Sequence, residues 1–135
     1  MTTQPLLKTL AAATMTLALA LSNTAFAKGE AQRRWEQMNQ IRKDKFDLVL
    51  PEVMRENDVD MWITVNREGY EDPLTEDFGK GYVGDWGFYI FTDRGGDRIE
   101  RVALGVGTHL IEENGAYDLV TGDFDLAAFV AERDP

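Results

Sequence analysis

The chain contains no cysteine, so no disulfide staples it, no thiolate serves as nucleophile or metal ligand, and no lipid can be attached through a cysteine. Histidine is nearly absent as well. His109 stands alone, and zinc sites of the usual kinds, which need several convergent His, Cys, Asp or Glu ligands, fail for lack of donors. Basic residues are few, 14 Lys and Arg against 24 Asp and Glu, for a formal net charge of −10. That balance argues against DNA, RNA or anionic lipid as partners, because binding to phosphate is dominated by Lys and Arg. Long apolar runs are missing too: the uncharged stretch Thr9 to Leu21 is too short to cross a bilayer comfortably.

That stretch has a different use. It follows Lys8 and leads into "SNTAFA", with small residues at Ala25 and Ala27, the pattern of a secretory signal peptide cleaved after Ala27. Removing residues 1–27 takes away one charged side chain, Lys8, and leaves 108 residues with a net charge of −11. The mature chain therefore reads as one small acidic domain, exported to the periplasm or secreted, with no membrane attachment after processing. Without disulfides its stability must come from packing alone.

Residues 28–40 are charged and polar and read as a lead-in where helix starts. Phe46, Val49, Leu50, Val53 and Met54 then fall at helical spacing, and Trp35, Met38 and Ile41 extend the stripe upstream, which predicts one apolar face. Pro51 lies inside the pattern, so either the helix kinks there or two helices meet with Pro51 in the first turn of the second. "MWITV", 61–65, has almost no polar group and predicts a strand covered on both faces and central in its sheet. The polar stretch Asn66 to Gly87 reads as a long functional loop. "WGFYIFTD" and "DRIERVALGVG" predict a hairpin whose turn draws positive φ angles from Gly95 and Gly96, the second strand having one partly wet face. In the tail, Asp123 or Asp125 is expected to cap a short helix through Leu126, Phe129 and Val130. The fold class is α/β, a mixed sheet flanked by helices in two or three layers. The closing "AERDP" would normally lead onward into another strand, so the fold reads as incomplete at its C-terminus.

Several motifs invite chemistry and do not sustain it. Gly79-x-Gly81-x-x-Gly84 has the spacing of a dinucleotide-binding fingerprint, with Lys80 inside it. That motif works only where a strand ends on the glycines and a helix begins there, whereas "WGFYIFT" is aromatic and β-branched and predicts a strand. Glu68, Glu71, Asp72, Glu76 and Asp77 could pair for glycoside hydrolysis, but in so acidic a chain a solvated loop is the plainer account. Asp123-x-Asp125 is a fragment of a calcium loop without its later glycine and glutamate, and the helix cap explains it better. His109 has no Ser or Cys nucleophile pattern beside it and reads as a surface or hinge residue. No catalytic and no metal residue is assigned.

The strings "IRKDKFDLVLPEVMRENDVDMWITVNREG" and "GYVGDWGFYIFTDRGGDRIERVALG" resemble the amino-terminal domain of exported Xaa-Pro aminopeptidases, the creatinase-like branch of the pita-bread metallopeptidases. The resemblance runs from about Trp35 to the end of the chain and implies a creatinase-like amino-terminal α/β domain over 41–135. It also implies a following catalytic domain, lacking here, in which two Asp, one His and two Glu hold a pair of divalent metal ions. No cofactor is expected in this chain itself. The implied function is that of a non-catalytic accessory domain that makes subunit contacts and governs substrate access. Its partners would be further copies or the missing catalytic domain, with peptides reached through the full-length enzyme. The alternative is a stand-alone exported binding module derived from that domain. Arg67, Tyr82 and Trp86 are the side chains expected at a subunit or substrate-access surface, the glycines letting an aromatic-bearing backbone approach another surface closely. A plainer reading of Trp86 has it starting its strand and packing in the core.

Overall fold

A computed structural model describes residues 29–135 apart from 71, 80 and 108 and the side chains of 109 and 110. Ala25, Ala27 and Lys80 lie outside the described residues. The chain divides into two compact units, 1–38 and 39–135. Helix α1 covers 29–44. Within its first-unit part, Glu30 accepts from Arg33 and Arg34, and Gln32 donates to Glu36 at 2.8 Å, exposed pairs one turn apart that each add about 0.3 kcal/mol to a helix.

The second unit holds the fold. A π-helical turn, Lys45–Val49, follows α1 and hands over to α2, Leu50–Glu56, with Pro51 in its first turn. The break expected at Pro51 is present. Leu50 N–H reaches back five positions to the Lys45 carbonyl, immediately before a residue that cannot donate and whose ring would crowd the preceding turn. The extra residue also rotates the faces, so the expected stripe only half closes. Phe46 and Met54 are buried and Leu50 packs against them, whereas Met38, Ile41, Val49 and Val53 are exposed.

Four strands form one mixed sheet: β1 Met61–Arg67, β2 Tyr82–Thr92, β3 Glu100–Gly107 and β4 Leu119–Thr121. Their spatial order is their chain order, β1 to β3 antiparallel and β4 parallel to β3. The expected hairpin is β2–β3; in its turn Gly95 has φ +74° while Gly96 does not share the positive φ. Two expectations are corrected. β1 lies at the edge of the sheet and not at its centre, although Trp62 packs against one buried cluster and Ile63 against the other, so it is apolar on both faces. β3 has no wet face from Arg101 to Leu104: all four residues are buried, because β3 sits inside the sheet and is covered from both sides. The polar stretch after Asn66 is likewise less of a loop than expected, since β1 and β2 take its ends and a short helix α3, Thr75–Phe78, lies between them.

Alternate residues of β2 feed two cores. Tyr89 and Phe91 join Phe46, Met54, Phe78, Ile99, Ala103, Val106 and Ile111 on one face, while Ile90 joins Val102 and Leu104 on the other. The first face is roofed by the helical segments around Pro51, by α3 and by α4, His109–Asn114. The second is closed by Leu126 and Phe129 of α5, Leu126–Arg133. Helices therefore cover both faces of an α/β sheet. Asp125 caps α5 by accepting from Ala128 N–H at 3.0 Å, as one of the two expected caps. Arg133 fixes its far end, gripping both oxygens of Glu100 on β3 at 2.7 and 2.9 Å with its guanidinium 3.4 Å from the centre of the Phe129 ring.

Candidate functional site

The glycines that resemble a phosphate loop are used for close packing. A Cβ at Gly81 would lie 2.2 Å from Val106 Cγ1 and 2.6 Å from Ile111 Cδ1, so the backbone enters β2 pressed against the core. Gly79 follows α3, and there the buried Arg42 takes the freed carbonyls: Nε donates to Asp77 O at 2.8 Å and Nη2 to Glu76 O at 3.2 Å. A strand and not a helix follows the glycines, so no helix terminus faces a phosphate. Tyr89 Oη donates to the Gly79 carbonyl at 2.7 Å and Tyr117 Oη to the Phe78 carbonyl at 2.6 Å, fixing the same turn from beneath. Burial pushes both phenols well above their ordinary pKa, so they act as neutral donors at any physiological pH.

Between Val83 and Phe88 the pairing of β2 with β3 slips. Val83 faces Val106 and Phe88 faces Leu104, so four residues, 84 to 87, stand opposite Gly105 alone. The other edge of β2 stays in register with β1, Trp86 opposite Arg67 and Gly87 opposite Asn66. The result is a wide bulge of the kind that re-aims a side chain. Gly105 permits it: its φ is +66°, and a Cβ there would meet the Trp86 carbonyl at 2.4 Å and the Phe124 ring at 2.8 Å.

The three side chains singled out from the sequence gather at this end of β1 and β2. Arg67 lies 5.4 Å from the centre of the Trp86 ring. Trp86 is 51% exposed and Tyr82 67%, so the reading of Trp86 as a core residue is overturned: the bulge turns it outward. Two hollows flank the cluster. One, of about 250 Å³, is lined by Asn66, Arg67, Tyr70, Thr75, Tyr82 and Tyr89 among others. The other, of about 430 Å³, is lined by Tyr82, Asp85, Trp86 and Phe124 over Gly84, Gly105, Gly107 and Gly122. Tyr70, at 78% exposure, and Phe124 were not anticipated as members of this surface. Phe124 is far from it in sequence, and only the parallel pairing of β4 with β3 brings "GDF" to Gly105.

His109 opens α4. Among the described residues, no three His, Cys, Asp or Glu side chains gather as metal ligands would. No protein-family model, no curated protein and no solved structure matches the chain.

Proposed function

We propose that this chain is the accessory α/β domain of an exported Xaa-Pro aminopeptidase-like metallopeptidase, resembling the creatinase amino-terminal domain and made as a precursor cleaved after Ala27. In this reading the chain carries no catalytic group. It meets another subunit, or a catalytic domain, through the surface around the β2 bulge and narrows the path by which peptides enter. The observation that carries the reading is the exposure, side by side, of Arg67, Tyr82 and Trp86. Arg, Tyr and Trp are the residues on which interface energies concentrate, and a small domain does not leave two large rings half in water for the sake of its own stability. The α/β sheet with helices on both faces supports the same reading, because it supplies a rigid platform behind the displayed side chains.

The test begins with the coding sequence beyond Pro135. A continuation bearing two Asp, one His and two Glu in metal-ligand positions supports the proposal; a stop followed by unrelated sequence turns it into the stand-alone binding module. Where the continuation exists, Trp86→Ala and Tyr82→Ala in the full-length enzyme should change subunit assembly or KM for peptides while the metal content stays constant. Hydrolysis of an Xaa-Pro dipeptide by the purified chain alone, with manganese added, would contradict the accessory role. Intact mass of the exported protein decides whether the chain begins after Ala27.

A further inference from the structure

The larger hollow shares Tyr82 and Trp86 with the proposed contact surface and adds Phe124 and Asp85, to which the accessory reading gives no role. Tyr82, Trp86 and Phe124 supply three aromatic rings, all exposed, and Asp85 supplies a carboxylate at the same place. The remaining lining is glycine, which offers backbone and open space but no competing side chain. Aromatic faces carry negative electrostatic potential and attract cations, and several such faces beside a carboxylate suit a cation whose positive charge is spread over methyl groups. An ordinary ammonium would lose hydrogen bonds to water on entering so apolar a place, whereas a methylated ammonium has few or none to lose.

Three further observations narrow the choice of ligand. The Trp86 ring already lies 5.4 Å from the Arg67 guanidinium, so it accepts a cation in this very structure. Arg67 lines the neighbouring hollow and not this one, which leaves the larger hollow without a basic side chain among its lining residues. The chain as a whole bears a net charge of −10, which raises the local concentration of any cation and repels anions. The geometry points to a binding site for a methylated ammonium group, seated among Tyr82, Trp86 and Phe124 with Asp85 as its counter-charge. The group could be carried by a small molecule or by a methylated lysine of a peptide; the recognised chemistry is the same.

This inference stands on the isolated chain and does not rest on the accessory-domain proposal, so either can fail without the other. The experiment titrates the purified chain with choline in about 0.15 M salt, where long-range surface attraction is largely screened. The readout is the indole N–H resonance of Trp86, assigned by its disappearance in Trp86→Phe. A saturable shift is expected, with a Kd on the order of 1 mM, as suits a single small contact. The uncharged isostere of choline, in which carbon replaces the nitrogen, should bind about fivefold to tenfold more weakly, the cation–π share of the affinity. Tyr82→Ala should weaken choline about fivefold and Asp85→Asn about twofold to threefold, and because both positions are exposed these variants should stay folded. Equal binding of the isostere would reduce the hollow to an apolar patch. A shift that survives Tyr82→Ala unchanged, or that never saturates, would reduce it to nonspecific attraction, and either result overturns the site. A peptide bearing trimethyllysine, compared with its unmodified form, then separates the two sources of the group.

Discussion

Strands β2 and β3 do two jobs within a few residues of each other. From Phe88 to Thr92, β2 is in register with both neighbours, and Tyr89, Ile90 and Phe91 are at most 1% exposed. From Gly84 to Gly87 the same strand has let go of β3, and Trp86 is half in water. Each half carries large aromatic rings, Phe88, Tyr89 and Phe91 in one and Trp86 in the other. What differs is whether β3 and a helix lie over the side chains: the paired half is closed by the Pro51 helices on one side and α5 on the other, and the bulged half faces its hollows. A strand can thus anchor and display at once, provided a bulge separates the two and a glycine on the partner strand makes room.

The largest effect should come from cutting into the closed half. Phe91 is fully buried, its ring 5.1 Å from Phe46 and 5.4 Å from both Trp62 and Phe78. Phe91→Ala removes the ring that joins the π-helical turn, β1 and α3 on one face of the sheet and should cost about 3–5 kcal/mol, enough to unfold a marginal domain of this size. Thermal melting followed by near-ultraviolet circular dichroism measures it. A loss below about 1 kcal/mol would mean that the two halves of β2 are not as different as their burial suggests.

Next in size is the boundary itself. Gly105→Ala puts a methyl group against the Trp86 carbonyl at a φ that other residues rarely adopt, and should destabilise by about 1–3 kcal/mol. The prediction is sharper than the loss of stability. The bulge should shift, so the Trp86 indole resonance should move while the resonances of Tyr89 to Phe91 stay close to their original positions. Uniform changes along β2 would show that the bulge is not an independent element.

A smaller effect marks the other end of the hairpin, where the turn is tied to α2. Arg55 donates to Asp93 at 2.6 and 3.1 Å and to the Gly96 carbonyl at 2.6 Å, and Gly95 N–H donates to Asp93 at 2.9 Å. The Arg55 hydrogen bond, aided by that from Gly95, holds the Asp93 carboxyl below the usual carboxylate range. Because the folded state prefers the ionised form, the contribution is fully present above the ordinary aspartate pKa of about 3.9 and fades as pH falls through the depressed folded value. Arg55 is 45% exposed and opens the pair to solvent although Asp93 is only 12% exposed, so the effect is modest: Asp93→Asn should lower the melting temperature by about 2–3 °C at pH 7, and the gap should close in acid. Melting curves of both proteins across the acid range give the answer, and a gap that is the same at every pH would remove the carboxylate from the explanation.

The sequence made the closed half more legible than the open one. The aromatic and β-branched run "FYIFT" and the Gly95 turn are local signals, and so are the cap at Asp125 and the break at Pro51; each produced the element expected of it. Position in the sheet is not local. "MWITV" is apolar because helices cover both its faces, and that pattern does not distinguish an edge strand from a central one, so β1 was assigned to the wrong place. The helical stripe misled for a related reason, since one π-turn shifts its phase and leaves Val49 and Val53 outside. At the site, Arg67, Tyr82 and Trp86 could be named because they punctuate a polar stretch with large side chains. Phe124 could not, because it arrives from beyond β4 through a parallel pairing that no nearby residue announces.

The smallest effect tests the open half directly. Arg67 and Trp86 face each other across β1 and β2, with the guanidinium 5.4 Å from the ring centre, and both are exposed. If this end of the strand exists for display, neither residue should matter much to folding. Trp86→Ala and Arg67→Ala should each change stability by less than about 1 kcal/mol, and a double-mutant cycle should leave about 0.5 kcal/mol of coupling, the scale of an exposed cation–π contact. Such a contact is mainly electrostatic, so the coupling should also shrink as salt is raised. Urea denaturation of the four proteins, at low and at moderate salt, measures both quantities. A coupling of 2 kcal/mol or more, well above the roughly 0.5–1 kcal/mol expected at an exposed site, would place the pair among the structural supports of the sheet. The contrast between an anchoring and a displaying half of β2 would then be lost. A coupling near the expected value, alongside the large loss for Phe91→Ala, would mean that the fold spends almost none of its stability on the Arg67–Trp86 pair, leaving that pair free to be selected for what it binds.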